Sequence, residues 1–124
     1  MMAEHLVQGQ QAEQQALDFL LGRGLKLLER NYRCKTAEIN LIMREAGTLV
    51  FVEVRYRQSN DFGRAVEIVT ASKQRKLLAT ANRYLQMLKK DATYRFDVIA
   101  LNGSRATRID KRVFDLVMCI GVVQ

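Results

Sequence analysis

Two short segments bring together side chains able to handle a metal ion or a phosphate. Ala37-Glu38-Ile39-Asn40-Leu41-Ile42 and Phe51-Val52-Glu53-Val54-Arg55 each alternate apolar and polar residues, as a β-strand does when its side chains point to alternate faces. Glu38 and Asn40 then share one face of the first strand, and Glu53 and Arg55 one face of the second. Hydrolysis of nucleic acid needs a divalent cation, a means of activating water and stabilisation of the charge that builds on phosphate. Hard Mg²⁺ prefers carboxylate oxygens and water. Two acids on neighbouring strands, with a lysine two positions after the second, meet that need; here only Glu53 of the two strand acids sits at its expected place. The alternative is a cross-strand ion-pair cluster of Glu38, Glu53 and Arg55 on a solvated sheet face.

Whether these groups meet depends on the turn between the strands, Glu45-Ala46-Gly47. If Ala46-Gly47 form a two-residue loop, Glu45 pairs with Thr48, Asn40 falls opposite Glu53, and Glu38 falls opposite Arg55. A three-residue loop breaks that register. The other face then carries Ile39, Leu41, Val52 and Val54 and is the core side.

The rest of the chain must position this pair. Leu6, Ala12, Ala16, Phe19 and Leu20 recur at helical spacing, so residues 5–21 read as a helix, stopped by Gly22 and Gly24. Strands are expected over 25–33, 38–44 and 48–56, and 57–69 is irregular. Thr70 is a plausible N-cap for a helix running to about residue 90, with Leu77, Leu78, Ala81, Tyr84, Leu85 and Leu88 as its apolar stripe. Its basic residues Lys73, Arg75, Lys76, Arg83, Lys89 and Lys90 either track a phosphodiester backbone or form a solvated outer face. A strand over 94–101, in which Asp97 buttresses or ends the strand or, as the lesser alternative, serves near the site, a turn at Asn102-Gly103-Ser104 and a last strand over 113–122 complete the order. Helix, three strands, helix and one or two strands describe an α/β fold with a mixed sheet flanked by helices.

The 124 residues suit a single domain, and 48% apolar with 27% charged residues is ordinary globular composition. A formal net charge of +7 favours polyanions such as nucleic acid. Cys34, Cys119 and the single His5 are too few and too scattered for a zinc site, and the cysteines read as reduced core residues. No basic segment followed by an apolar one marks a signal peptide. The most apolar run, Val113 to Val123, is too short to span a bilayer and contains Asp115. These features point to a cytoplasmic protein without a membrane span.

At this level of detail the chain resembles a known family. The matches are Glu13, Ala16 and Leu20; Arg30-Asn31-Tyr32-Arg33; Glu38-Ile39 and Leu41-Ile42; Phe51-Val52-Glu53-Val54 and Arg57; Phe62-Gly63, Ala65, Val69 and Lys73; and Arg95-Phe96-Asp97-Val98. In this order and spacing they resemble the YraN-like family of small bacterial proteins. That family belongs to the restriction-endonuclease-like superfamily, close to archaeal Holliday-junction resolvases. The resemblance implies a core of helix, three strands, helix and strand. It also implies nucleic acid, DNA first, as the partner, and Mg²⁺ or Mn²⁺ as the cofactor.

The family's strands read Gly-Glu-Ile-Asp-Leu-Ile and Phe-Val-Glu-Val-Lys. Carried over by position, Glu53 matches, Asn40 replaces the metal-binding Asp and Arg55 replaces the Lys. Glu38 matches the first Glu, and Glu13 matches a helix acid that could complete a metal set with Glu53 and Asn40. Ala12 and Ala37 stand where the family tends to have Gly. Asn offers a carbonyl oxygen without charge, so the site has one negative charge fewer than the family's. Arg stays protonated, with a pKa above about 12, and cannot act as a base, but it can hold a phosphate bidentately. Glu13 or Glu38 could supply the missing charge, and Lys73 or Lys76 the missing lysine.

The leading expectation is therefore a nucleic-acid-binding protein with a nuclease-like fold and an altered site, weak or inactive in cleavage. Arg33, Arg55, Arg57, Lys73 and Lys76 are its expected phosphate contacts. One alternative is a Mg²⁺- or Mn²⁺-dependent endonuclease on branched or structured DNA, with Glu38, Asn40, Glu53 and Arg55 as its active site. The other is a homodimer formed through the apolar strand at 113–123.

Overall fold

Apolar residues at helical spacing build α1 over Met2–Gly22. Ala12, Ala16, Leu17 and Leu20 are its buried stripe. Gly24 ends it at φ 92°, while Leu25 N–H and Gly24 N–H donate to the carbonyls of Leu20 and Leu21. This is a left-handed C-cap, and the buried Leu25 and Leu20 pack in the same cluster beneath it. A Cβ on Gly24 would meet no atom within 4 Å, so only the backbone resists one. Gly24→Ala is expected to cost about 1 kcal/mol and lower the melting temperature by about 4 °C, read by calorimetry.

The structure is a computed structural model and describes residues 2–57, 70–88, 92–102 and 105–109. After α1 come β1 (Lys26–Arg33), β2 (Glu38–Glu45), β3 (Thr48–Arg57), α2 (Ala71–Leu88), β4 (Thr93–Asn102) and β5 (Arg105–Ile109). They form a five-stranded mixed sheet in sequence order, antiparallel except for β3 and β4, which run parallel. A parallel pair needs a crossover, and α2 supplies it. This is the α/β restriction-endonuclease-like core. No helix among the described residues is long and apolar enough to cross a membrane.

The two-residue hairpin is present. Glu45 pairs with Thr48, and the register runs on to Leu41 opposite Val52. Ala46 takes φ 54° in the loop, a conformation that hairpin turns usually assign to Asn, Asp or Gly.

One expectation is overturned: the site face of the sheet is not a solvated face. α1 covers one side, packing on Leu41, Met43, Val50, Val52, Ile99 and Leu101, with Val54 at the margin. α2 covers the other through Leu77, Ala81 and Tyr84 against Ile42, Leu49, Phe51, Phe96 and Val98. Ile39, expected beside Leu41, joins the α2-side cluster, next to the point where the β2–β3 pairing ends. The crossover that makes β3 and β4 parallel forces a helix over the face carrying Glu53 and Arg55.

β5 is the second difference. The next strand after the turn at 102–104 was expected at 113–122, but Arg105–Ile109 already pairs back on β4. Arg-Ala-Thr-Arg-Ile has no apolar run to announce it; the hairpin back onto β4 places it. The segment 113–123 and Cys119 lie outside the described residues.

Candidate functional site

β2 and β3 part at their far end, and that parting makes the site. Beyond Leu41 and Val52 the ladder stops, and Val54 N–H instead donates to Asn40 Oδ1 at 2.8 Å. The Asn40 amide thus substitutes for a strand carbonyl. The N-terminus of α2 faces the resulting gap. Thr70 caps it by accepting Lys73 N–H on its hydroxyl at 3.1 Å, as its position before the helical run implied. The gap is a cleft of about 500 Å³, lined by Thr36, Ala37, Glu38, Asn40, Glu53, Val54, Arg55, Thr70, Ser72, Lys73 and Lys76.

Four strand residues expected at a site thus line one cleft, together with both helix lysines. Their contacts differ from those the register implied. Glu53 is nearly enclosed, at 5% exposure. Its Oε2 lies 2.8 Å from Arg55 Nη2 and 3.1 Å from Lys73 Nζ. Among the described residues nothing accepts from the buried Arg55 Nε, and Nη2 meets Glu53 as an ion pair without hydrogen-bond alignment. Glu38, expected opposite Arg55, is instead bound by Arg33, whose Nε and Nη2 donate to Glu38 Oε2 at 3.1 and 2.6 Å. Arg33 and Glu38 are register partners across β1 and β2, whereas β2 and β3 have already separated there. The three-residue ion-pair cluster across the hairpin does not form.

Glu13 does not line the cleft; it accepts Asn31 Nδ2–H at 2.9 Å, between α1 and β1. Asn31 itself takes φ 52° within β1. Arg57 ends β3, and its side chain lies outside the described residues. No group of three or more His, Cys, Asp or Glu side chains comes together among the described residues. Three cations face two carboxylates across the cleft, and one of those carboxylates is neutralised by Arg33.

The sequence reading missed Thr36, Ser72 and the helix N-terminus as parts of this site. The signal was present in Thr70 followed by Ser72 and Lys73 with no acid in the first turn. An N-terminus of that kind attracts anions through its free N–H groups and dipole.

Cys34 corrects another expectation. It is half-buried on the β1–β2 turn, outside both core clusters. Its Sγ lies 2.9 Å from Thr36 Oγ1 and 3.1 Å from Thr80 Oγ1. The Thr36 hydroxyl, the Thr80 hydroxyl and the backbone N–H groups of Thr36 and Ala37 lower the thiol to about 6, against a small opposing effect of burial. Thr80 has a single hydroxyl proton and also meets the Lys76 carbonyl at 3.0 Å, so Thr36 and the backbone carry most of the effect. The thiolate is the reactive form. Alkylation of Cys34 by iodoacetamide should therefore rise through pH about 6 and level off near neutrality, and Thr36→Val should move that midpoint towards the ordinary value of about 8.5.

Comparison with known proteins places these motifs. Residues 12–101 match the uncharacterised protein family UPF0102. A UPF0102 protein of Nitrosomonas europaea is 50% identical over 109 residues, covering 86% of this chain and 92% of the relative. One from Shewanella loihica is 48% identical over 101 residues, covering 82% and 89%. One from Pseudomonas putida is 50% identical over 98 residues, covering 77% and 79%. The chain belongs to the UPF0102 family, the YraN-like family that its strand motifs resemble.

Proposed function

We propose that the cleft binds the phosphates of nucleic acid, DNA in the first instance, and cleaves them weakly or not at all. One observation carries this reading: the Glu53 carboxylate already holds two cations, Arg55 at 2.8 Å and Lys73 at 3.1 Å. A nuclease site keeps its acids available for a divalent ion. Here Asn40 brings no charge and spends Oδ1 on the backbone, Glu38 is held by Arg33, and Glu13 lies elsewhere. That donor set fits a resident Mg²⁺ or Mn²⁺ poorly. It fits an anion well, with a guanidinium, two ammonium groups, hydroxyls and a helix N-terminus converging on one space. The net charge of +7 would draw a polyanion to it.

The endonuclease reading keeps one supporting observation, Lys73. Its ammonium stands beside Glu53 and could serve where the strand lysine is missing. Dimerisation through 113–123 concerns residues outside those described, and nothing in the described part favours it.

One set of titrations separates the readings. Binding of the full chain to short DNA should weaken at least about tenfold between 50 and 200 mM salt, through counterion release. With Mn²⁺ and a four-way junction, no cleavage is expected. The double substitution Asn40→Asp plus Arg55→Lys restores the family's pair, and an Asp at 40 can still accept Val54 N–H; cleavage is expected to appear there. Cleavage by the natural protein, lost in Glu53→Gln, would establish the endonuclease instead. Salt-independent binding would remove the phosphate reading.

A further inference from the structure

We propose that the cleft is selective for the terminal phosphate monoester of a nucleic-acid strand over the diesters along its length; this rests on the phosphate-binding reading above. Charge is the first argument. Arg33 neutralises Glu38 at the rim, and Glu53 offsets one of the three cations Arg55, Lys73 and Lys76. The cleft is left with an excess of two positive charges. A phosphate monoester carries about −1.5 to −2 at neutral pH, whereas each internal diester carries a single negative charge.

Shape is the second argument. Arg55 and Lys73, held by the nearly enclosed Glu53, stand between the parted strands and the α2 N-terminus. A cleft of about 500 Å³ has room for a ligand of about one nucleotide, whereas grooves that follow a strand hold about four or more. An internal phosphate must continue in both directions from so short a cleft, whereas a terminal phosphate continues in one.

The donors agree. Arg55 presents Nε–H, buried and without an acceptor among the described residues. Ser72 and the α2 N-terminus line the same cleft, where the N–H groups of Ala71 and Ser72 have no intrahelical acceptor while Lys73 N–H is taken by the Thr70 cap. These donors approach from more than one side, as the three free oxygens of a monoester require; a diester offers only two.

The test is fluorescence anisotropy with the full chain and short single-stranded DNA, in pairs that differ only in a terminal phosphate or hydroxyl at the 5′ or the 3′ end. At one end or both, the phosphate should tighten binding by about tenfold, the effect of one further unit charge near Arg55 and Lys73. Lys73→Gln should remove most of that gain, and Arg83→Gln, outside the cleft, should keep it. Phosphate- and hydroxyl-ended strands binding equally would overturn end selectivity while leaving phosphate binding in place. A gain that survives Lys73→Gln would overturn its assignment to this cleft. Absence of binding by every strand at low salt would overturn the phosphate reading and this inference together.

Discussion

Glu53→Gln is expected to tighten DNA binding by about tenfold while weakening the folded state by about 2 kcal/mol. Both effects follow from the same geometry. Glu53 Oε2 lies against Arg55 and Lys73, so it competes with any phosphate for those two cations. At about 5 Å and an effective dielectric of 20 a unit charge is worth about 3 kcal/mol, and water and salt at the cleft mouth reduce that to about half. Removing the charge also leaves the Arg55 guanidinium, 16% exposed, without its counterion. Breaking a fully buried pair costs about 3–5 kcal/mol, and access of water to Lys73 lessens it here. Urea unfolding with and without phosphate checks the linkage: phosphate should return more stability to Glu53→Gln than to the natural protein. A substitution that abolished binding would identify Glu53 as a ligand-holding group and refute its role as a competitor.

The second large effect lies on the opposite face of the sheet. Arg95→Met is expected to destabilise the fold by about 3 kcal/mol. Arg95 Nε donates to Asp97 Oδ1 at 3.2 Å and Oδ2 at 3.3 Å, and Nη2 reaches Glu45 on the β2–β3 hairpin. Asp97 is 1% exposed, so loss of the guanidinium leaves a carboxylate in a low-dielectric site without the Arg95 counter-charge. The arm to Glu45 contributes less, because Glu45 is 40% exposed. Adding Asp97→Asn should recover part of the loss, by removing the charge that Arg95 balances. The denaturant midpoint should fall with an unchanged slope; a shift below about 1 kcal/mol would place the Arg95–Asp97 pair among weak surface contacts. This accounts for Arg95-Phe96-Asp97-Val98 as a structural motif, with the Arg and Asp on the α1 side and Phe96 and Val98 on the α2 side.

The elements were legible in the sequence because the forces that set them are local. Alternation at 51–55 and from Asn40 onward in the first strand marked which side chains share a face, while Ile39 departed from it where the β2–β3 pairing ends. Ala46-Gly47 determined the register, and Glu45 does pair with Thr48. Thr70 marked a helix start because its hydroxyl can take an orphan N–H within its own turn. Gly24 marked a helix end because only glycine takes φ 92° without strain. β5 was not legible, since its five residues carry no apolar pattern and depend on pairing with β4.

The site was legible only in its parts. Sequence by itself determined that Glu38, Asn40, Glu53 and Arg55 lie on one side of a strand pair. Only the tertiary structure decided what each of them touches. The docking of α2 brought Lys73 to Glu53 across a separation of twenty residues. The parting of β2 from β3 gave Asn40 to the backbone and Glu38 to Arg33. Packing of α1 against β1 gave Glu13 to Asn31. Side-chain periodicity repeats within one element and carries no information about which distant element closes over it; that is decided by burial of the α1 and α2 stripes on opposite faces of one sheet.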